Sequence, residues 1–79
     1  MIFMEHPKTQ KFYCLTVEQD LLGTWCVKKV YGNVPDKISG SELLLCASEH
    51  DAWLQLCDLE IAKRKHGYVY SQRESQYNE

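Results

Sequence analysis

The sequence predicts a single α+β domain: a twisted antiparallel sheet of three to four strands with one α-helix packed across one face. Three observations lead to this prediction. Two neighbouring segments are rich in β-forming residues and joined by a short loop, a later segment carries helix caps at both ends, and 79 residues suffice for one core only. Because short connections join neighbouring strands in opposite directions, the sheet is expected to be antiparallel.

The first two strands are predicted from residue type and alternation. Residues 11–18 alternate with a period of two, and residues 24–31 are again rich in β-branched and aromatic residues, so both are expected to be strands. Residues 19–23 form the loop between them, with Gly23 as its expected left-handed position.

A loop and two further strands complete the predicted sheet. Residues 32–41 carry Gly, Pro and Ser at many positions and are interpreted as one long loop. Residues 43–47 are a short apolar run, most simply a third strand, and residues 68–70 are able to return as a fourth.

The two ends of the chain are expected to lie outside this domain, which spans residues 11–70. Residues 1–10 contain Pro7 and show no clear period, so they are interpreted as an N-terminal arm that is strand-like only at residues 2–4. Residues 71–79 are polar and lack Leu, Ile and Val, so this C-terminal tail is expected to fray.

The helix is predicted from its caps. Ser48 is followed three residues later by Asp51, a variant of the capping box, and Gly67 is a suitable left-handed stop. Acidic residues in the first turn and basic residues in the last complement the helix dipole. A helix is therefore expected from the residue after Ser48 to the basic run before Gly67.

This helix carries two apolar stripes. The first is expected to pack on the sheet, with the stem of Lys63 on the same side and its ammonium at the edge; it comprises Ala52, Leu56 and Leu59. The second lies roughly opposite and comprises Leu54, Cys57 and Ile61. It is either exposed to a protein partner or a second copy of the chain, or covered by the arm or the tail.

The cysteines indicate neither a zinc site nor a disulfide framework. No two of them are close enough in sequence to form the paired ligands of a structural zinc site; they are Cys14, Cys26, Cys46 and Cys57. The first residues lack the shape of a secretory signal and no apolar run approaches a membrane span, so we expect a cytoplasmic protein with reduced thiols and no membrane association.

Charge and motifs limit the function classes. A formal net charge of -2 argues against a chain that coats nucleic acid by bulk charge, so anion binding requires a local patch. The sequence has no nucleophile elbow, P-loop or zincin helix. We therefore expect a protein that is not an enzyme and uses no cofactor.

Five short motifs between residues 11 and 70, in order and at matching spacing, resemble the WGR domain family. They are Phe12-Tyr13-x-Leu15, Asp20-Leu21-x-Gly23-x-Trp25, Tyr31-Gly32-Asn33-Val34, Ser48-x-x-x-Ala52, and Lys63 followed by Gly67-Tyr68. The resemblance implies an antiparallel sheet packed by one helix, in agreement with the fold predicted from the residues. It also implies DNA binding, because in DNA-dependent poly(ADP-ribose) polymerases this module lies at DNA breaks and contacts the terminal phosphate and nearby backbone.

The sequence departs from the family at the triplet that names it. Where the family has Trp-Gly-Arg, this chain has Tyr31-Gly32-Asn33. Tyrosine keeps a flat ring that stacks on a sugar or base. Asparagine offers a neutral amide in place of a charged, bidentate fork, so we expect an affinity for DNA lower by roughly tenfold.

The predicted nucleic-acid contacts surround this triplet and the basic end of the helix. Adjacent lysines on a strand project from opposite faces, and alternation places Lys29 on the face of Tyr31. Both the strand lysines and the helix-end cations have simpler interpretations, as solvated decoration and as partners of the helix dipole. The full predicted set is Tyr31, Gly32, Asn33, Lys28, Lys29, Lys63, Arg64 and Lys65.

Two functions are thus predicted as alternatives. The first is a nucleic-acid-binding module that contacts DNA backbone or strand ends without reading sequence, with DNA and RNA both open as ligands. The second is a protein-interaction or assembly module that keeps the fold without DNA binding. The net charge, the missing arginine and the stripe of Leu54, Cys57 and Ile61 favour the second.

Overall fold

The fold is a five-stranded antiparallel sheet crossed on one face by a single helix. A computed structural model describes residues 1–34 and 37–70. The elements are β1 (Ile2–Glu5), β2 (Lys11–Gln19), β3 (Trp25–Asn33), β4 (Lys37–Leu45), α1 (Glu49–Lys65) and β5 (Val69–Tyr70). The strands lie in the order β4-β3-β2-β1-β5. The predicted α+β class is confirmed, and α1 packs on β2 and β3.

The sheet has one strand more than the three to four predicted. The strand-like segment within the predicted arm is β1, which pairs with β2 on one side and β5 on the other. The predicted tail, residues 71–79, lies outside the described residues. The additional strand shields one edge of β2 and brings both ends of the described chain into the sheet.

The prediction of a long loop over residues 32–41 is wrong, because β3 runs to Asn33 and β4 begins at Lys37. Pro35 and Asp36 lie outside the described residues. Gly40 was one of the residues that predicted the loop, but it lies opposite Tyr31 in the sheet. A Cβ on Gly40 would come within 2.8 Å of the Tyr31 hydroxyl oxygen. The glycine therefore makes room for a ring inside a strand rather than ending it.

The main core lies between the sheet and α1. Its buried residues are Leu15, Val27, Ala52 and Leu56, and Ile2, Val17, Trp25, Leu44, Cys46 and Leu59 pack against them. Leu15 and Val27 come from β2 and β3, whose odd-numbered residues face the helix. The predicted packing stripe of α1 is therefore confirmed, and each fully buried aliphatic side chain contributes about 1.5–3 kcal/mol.

A second cluster lies on the opposite face of the sheet. Phe3, Phe12 and Cys14 are buried there, and Val30 and Val34 pack against them. The rings of Phe3 and Phe12 are stacked with their centroids 5.2 Å apart. Burial on both faces explains why Phe12 and Cys14 of β2 are apolar, although they face away from the helix.

Both caps of α1 form as predicted. The Asp51 amide donates to the Ser48 hydroxyl oxygen at 3.1 Å. At the other end Gly67 has φ of 96°, its amide donates to the Arg64 carbonyl, and the Tyr68 amide donates to the Lys63 carbonyl. This is a Schellman motif, and it turns the chain so that Tyr68 follows closely on the last turn of the helix.

The cysteines are free thiols, two of them buried, one half-buried and one exposed. Cys57 is the exposed one. Across residues 1–34 and 37–70, no group of three or more His, Cys, Asp or Glu side chains is placed to hold a metal ion. No helix of the described chain is long and apolar enough to cross a membrane.

Candidate nucleic-acid interface

An open pocket of about 380 Å³ lies on the helix side of the sheet, beside the C-terminal end of α1. We call it the tyrosine pocket. Its lining residues are Lys11, Phe12, Tyr13, Tyr31, Gly32, Asn33, Ser39, Lys63 and Tyr68. The structure thus brings together four of the predicted contacts: Tyr31, Gly32, Asn33 and Lys63.

Two tyrosines from neighbouring strands form the floor of the pocket. Tyr13 of β2 and Tyr31 of β3 are direct cross-strand partners, and their ring centroids are 5.6 Å apart. Both side chains are half-buried. Direct cross-strand aromatic pairs of this kind stabilise a sheet.

Lys63 extends over this floor from the helix. Its ammonium lies 3.6 Å from the Tyr13 ring centroid and 5.3 Å from that of Tyr68. The ammonium therefore lies on the sheet side of α1, the side that was predicted for Lys63. Neither of the two ion pairs found among the described residues involves Lys63. Its charge is held by aromatic faces, which attract a cation without neutralising it.

Tyr68 forms a wall of the pocket. The centroid of its ring lies 5.5 Å from that of Tyr13 and 5.2 Å from that of His6, and both contacts are edge-on. Burial, and secondly the neighbouring Tyr13, raise the pKa of Tyr68 above its ordinary value. The phenol therefore stays neutral at physiological pH. The half-buried ring of Tyr68 lines the pocket.

Lys11 and Asn33 stand together at the rim. They are cross-strand partners at the ends of β2 and β3, both are exposed, and both line the pocket. Lys11 and Tyr13 were missed as site residues because their placement depends on the register of the hairpin. The signal was present in the loop: Asp20 accepts hydrogen bonds from the Leu22 and Thr24 amides, which sets the turn that pairs Gln19 with Trp25.

Gly32 is required by close packing rather than by a turn. A bulge lies between Tyr31 and Gly32 in the pairing of β3 with β4. A Cβ on Gly32 would lie 1.9 Å from the Lys37 carbonyl oxygen and 2.8 Å from the Ile38 Cα. The backbone of β4 therefore closes against Gly32, which fixes the strand end that carries Asn33.

The remaining predicted cations do not line the tyrosine pocket. Lys29 shares the helix-side face with Tyr31, as predicted, but pairs with Glu42 at 3.1 Å. Arg64 pairs with Glu60. Lys28 is exposed on the opposite face, and Lys65 is exposed at the helix end.

Glu60 explains why Arg64 is held away from the pocket. The Tyr70 hydroxyl donates to Oε2 of Glu60 at 2.6 Å, and Arg64 Nε contacts the same oxygen. The hydrogen bond from Tyr70, followed by that from Arg64, holds the pKa of the Glu60 carboxyl below its ordinary value despite burial. This buried carboxylate links α1 to β5.

The second stripe of α1 is open in the described structure. Leu54 is 52% exposed, Ile61 is 41% exposed and Cys57 is also exposed. Trp53 at its border is 48% exposed and its indole N–H donates to Glu49 at 3.4 Å. This stripe is a separate apolar surface on the side of α1 away from the sheet.

Comparisons with known proteins return nothing for this chain: no protein-family model, curated protein or solved structure matches it. The resemblance to the WGR family therefore rests on the five motifs and stays a prediction.

Proposed function

We propose that the tyrosine pocket binds the sugar–phosphate backbone of DNA, at a strand end or break, without reading sequence. One observation carries this proposal: the Lys63 ammonium is held over Tyr13 in an open pocket, with no carboxylate partner among the described residues. A cation kept in this way is available to a phosphate oxygen. The half-buried ring of Tyr31, which also lines the pocket, is of the kind that stacks on a sugar or an unstacked base.

The rim adds a second cation and an amide. Lys11 stands on the opposite strand end from Asn33, so a positive charge lies next to the position where the family has its arginine. Lys11 and Lys63 approach the pocket from the sheet and the helix respectively. Together they are suited to successive phosphates of one strand, while the Asn33 amide donates a neutral hydrogen bond. Lys11 thus compensates in part for the missing arginine.

Fluorescence anisotropy with labelled short duplexes tests the proposal. Blunt, nicked and 5′-phosphorylated duplexes are compared across a salt series, with single-stranded RNA as a further probe. We expect binding that weakens with salt and favours the phosphorylated end, because released counterions report phosphate contacts. A folded protein that binds none of these duplexes at low salt would overturn the proposal.

Lys11 has a matched control in Lys28. Both are exposed strand lysines, but Lys28 projects from the opposite face of the sheet. Lys11→Gln should weaken binding by roughly fivefold to tenfold and reduce the salt slope by about 0.9, the contribution of one phosphate contact. Lys28→Gln removes the same charge and should change neither quantity. Equal effects from the two variants would mean that only the overall charge matters.

A second candidate function is protein interaction through the exposed stripe of α1. It is favoured by the half-exposed Leu54 and Ile61 and by the pairing of Lys29 and Arg64 with carboxylates, which leaves fewer cations for DNA. Leu54→Asp with Ile61→Asp should abolish such an interaction and leave DNA binding intact. Tyr31→Ala with Lys63→Ala should do the reverse.

A further inference from the structure

The edge strand β4 is long and apolar on one face. It runs for nine residues and, within the described chain, pairs only with β3. On the face away from the helix, Leu43 is 52% exposed and Leu45 is 69% exposed. Residues 41–45 contain no Pro and no Lys, the residues that commonly protect an edge from pairing. This part of the edge is therefore open to another strand.

The hydrogen-bond pattern shows which backbone groups point outward. The Cys46 amide donates to the Trp25 carbonyl at 2.8 Å, so these two residues form a hydrogen-bonded pair. Such pairs alternate along an antiparallel ladder, so Leu44 and Glu42 also bond to β3. The amides and carbonyls of the residues between them point away from the sheet; these residues are Ser41, Leu43 and Leu45.

We propose that two copies of this chain pair through β4 in an antiparallel dimer, with the two-fold axis at Leu43. The outward-facing set is symmetric about that residue. Leu43 then lies opposite Leu43 of the second copy, and Ser41 lies opposite Leu45, each pair exchanging backbone hydrogen bonds. The two five-stranded sheets become one continuous sheet of ten strands.

Side chains and charges suit a second copy. On the face away from the helix, the pairing brings the exposed leucines of the two copies against one another. Leu21 and Leu22 border Leu43 and extend this apolar surface, since both are almost wholly exposed. The one charge within residues 41–45 is Glu42, which pairs with Lys29 and would face Leu44 of the second copy. No like charges are therefore placed opposite one another.

The symmetry has a consequence for the tyrosine pockets. A two-fold axis through a hydrogen-bonded antiparallel pair is perpendicular to the sheet, so both helices and both pockets lie on the same face. Tyr31 is on the strand next to β4 and level with Gly40. Strand and residue spacings place the two copies of Tyr31 about 25 Å apart. The dimer itself does not depend on what the pocket binds.

Sedimentation of the full chain from micromolar to millimolar concentration tests the proposal. We expect a monomer–dimer equilibrium that Leu43→Lys weakens by at least about tenfold, because two ammonium groups then lie directly opposite. The matched control is Leu54→Lys, which has the same 52% exposure but lies on α1 and should leave the dimer intact. Circular dichroism checks that both variants fold.

Mixing two charge variants tests the register. Leu43→Lys and Leu43→Glu should each be monomeric alone and form a heterodimer when mixed, because the same position faces itself across the axis. A wild-type chain that stays monomeric throughout would overturn the proposal. So would a dimer that Leu54→Lys disrupts and Leu43→Lys does not, or charge variants that fail to associate when mixed.

Discussion

Gly67 lies between the last turn of α1 and Tyr68, the wall of the tyrosine pocket. The variant Gly67→Ala tests whether glycine is required at this position. Gly67 has φ of 96°, and a Cβ there would lie 2.9 Å from Nε2 of His6. The His6 ring packs edge-on against Tyr68, and its Nδ1 accepts from the Lys8 and Thr9 amides at 3.2 and 3.3 Å. The ring is held from both sides, so an added methyl group displaces it together with Tyr68.

Two costs set the size of the effect. A non-glycine residue with positive φ costs roughly 1–2 kcal/mol, offset in part by the lower entropy of the unfolded alanine chain. Displacing His6 adds roughly 1 kcal/mol, a typical cost of overpacking. We therefore expect Gly67→Ala to lower the free energy of unfolding by about 2 kcal/mol, or Tm by roughly 10 °C in a domain of this size.

Gly23→Ala separates the two costs. Gly23 has φ of 83° and nothing lies within 4 Å of an added Cβ, so this variant carries the backbone cost alone, about 1 kcal/mol. Urea unfolding followed by circular dichroism measures both variants. Adding His6→Ala to Gly67→Ala should remove the clash. If Gly67→Ala is no less stable than Gly23→Ala, the inference that the His6 ring is held in place against Gly67 is wrong.

Three further predictions concern the core, the bulge and the buried carboxylate. Leu15→Ala should lower the free energy of unfolding by about 2–5 kcal/mol in urea, because Leu15 is fully buried between sheet and helix. Gly32→Ala should be more destabilising than Gly67→Ala, since its methyl group meets the backbone carbonyl of Lys37 rather than a side chain that moves. Tyr70→Phe should lower the free energy of unfolding near neutral pH and leave it unchanged at the acidic and alkaline extremes. The pKa of Glu60 in the folded protein is lowered from 4.5. The stability that its ionised carboxylate contributes is therefore present above that pH and lost as the pH falls through the folded pKa. The pKa of Tyr70 in the folded protein is raised from 10.0. The stability that its neutral hydroxyl contributes is therefore present below that pH and lost as the pH rises through the folded pKa. Thermal unfolding of the wild-type protein and of Tyr70→Phe is compared across pH. The free energies of unfolding should differ by less than about 1 kcal/mol for this partly exposed pair, and the difference should vanish at both extremes of pH.

Local signals predicted the elements whose ends are set by local chemistry. Ser48 and Gly67 fix the two ends of the helix through hydrogen bonds within a few residues, and both act as predicted. The loop over residues 32–41 was mispredicted because Gly32 and Gly40 serve close packing between strands. Their role depends on which strand lies alongside, which no local pattern contains.

The same distinction holds for the site. Helix periodicity placed Lys63 on the packing stripe, and strand alternation placed Lys29 on the face of Tyr31. The pairings of Tyr13 with Tyr31 and of Lys11 with Asn33 require the register of the β2–β3 hairpin. Whether a cation is neutralised also depends on distant residues, as with Glu42 beside Lys29. Register and neutralisation are properties of the folded sheet.

The measurement that tests the central claim most directly compares Lys63→Gln with Lys65→Gln in DNA binding. Both residues are lysines of the last helical turn, but Lys63 lies over Tyr13 in the pocket and Lys65 is exposed outside it. Anisotropy with a 5′-phosphorylated duplex should show about a tenfold loss of affinity and a salt slope smaller by about 0.9 for Lys63→Gln, and little change for Lys65→Gln. Equal losses, or no loss from Lys63→Gln, would contradict the claim that the tyrosine pocket holds the phosphate.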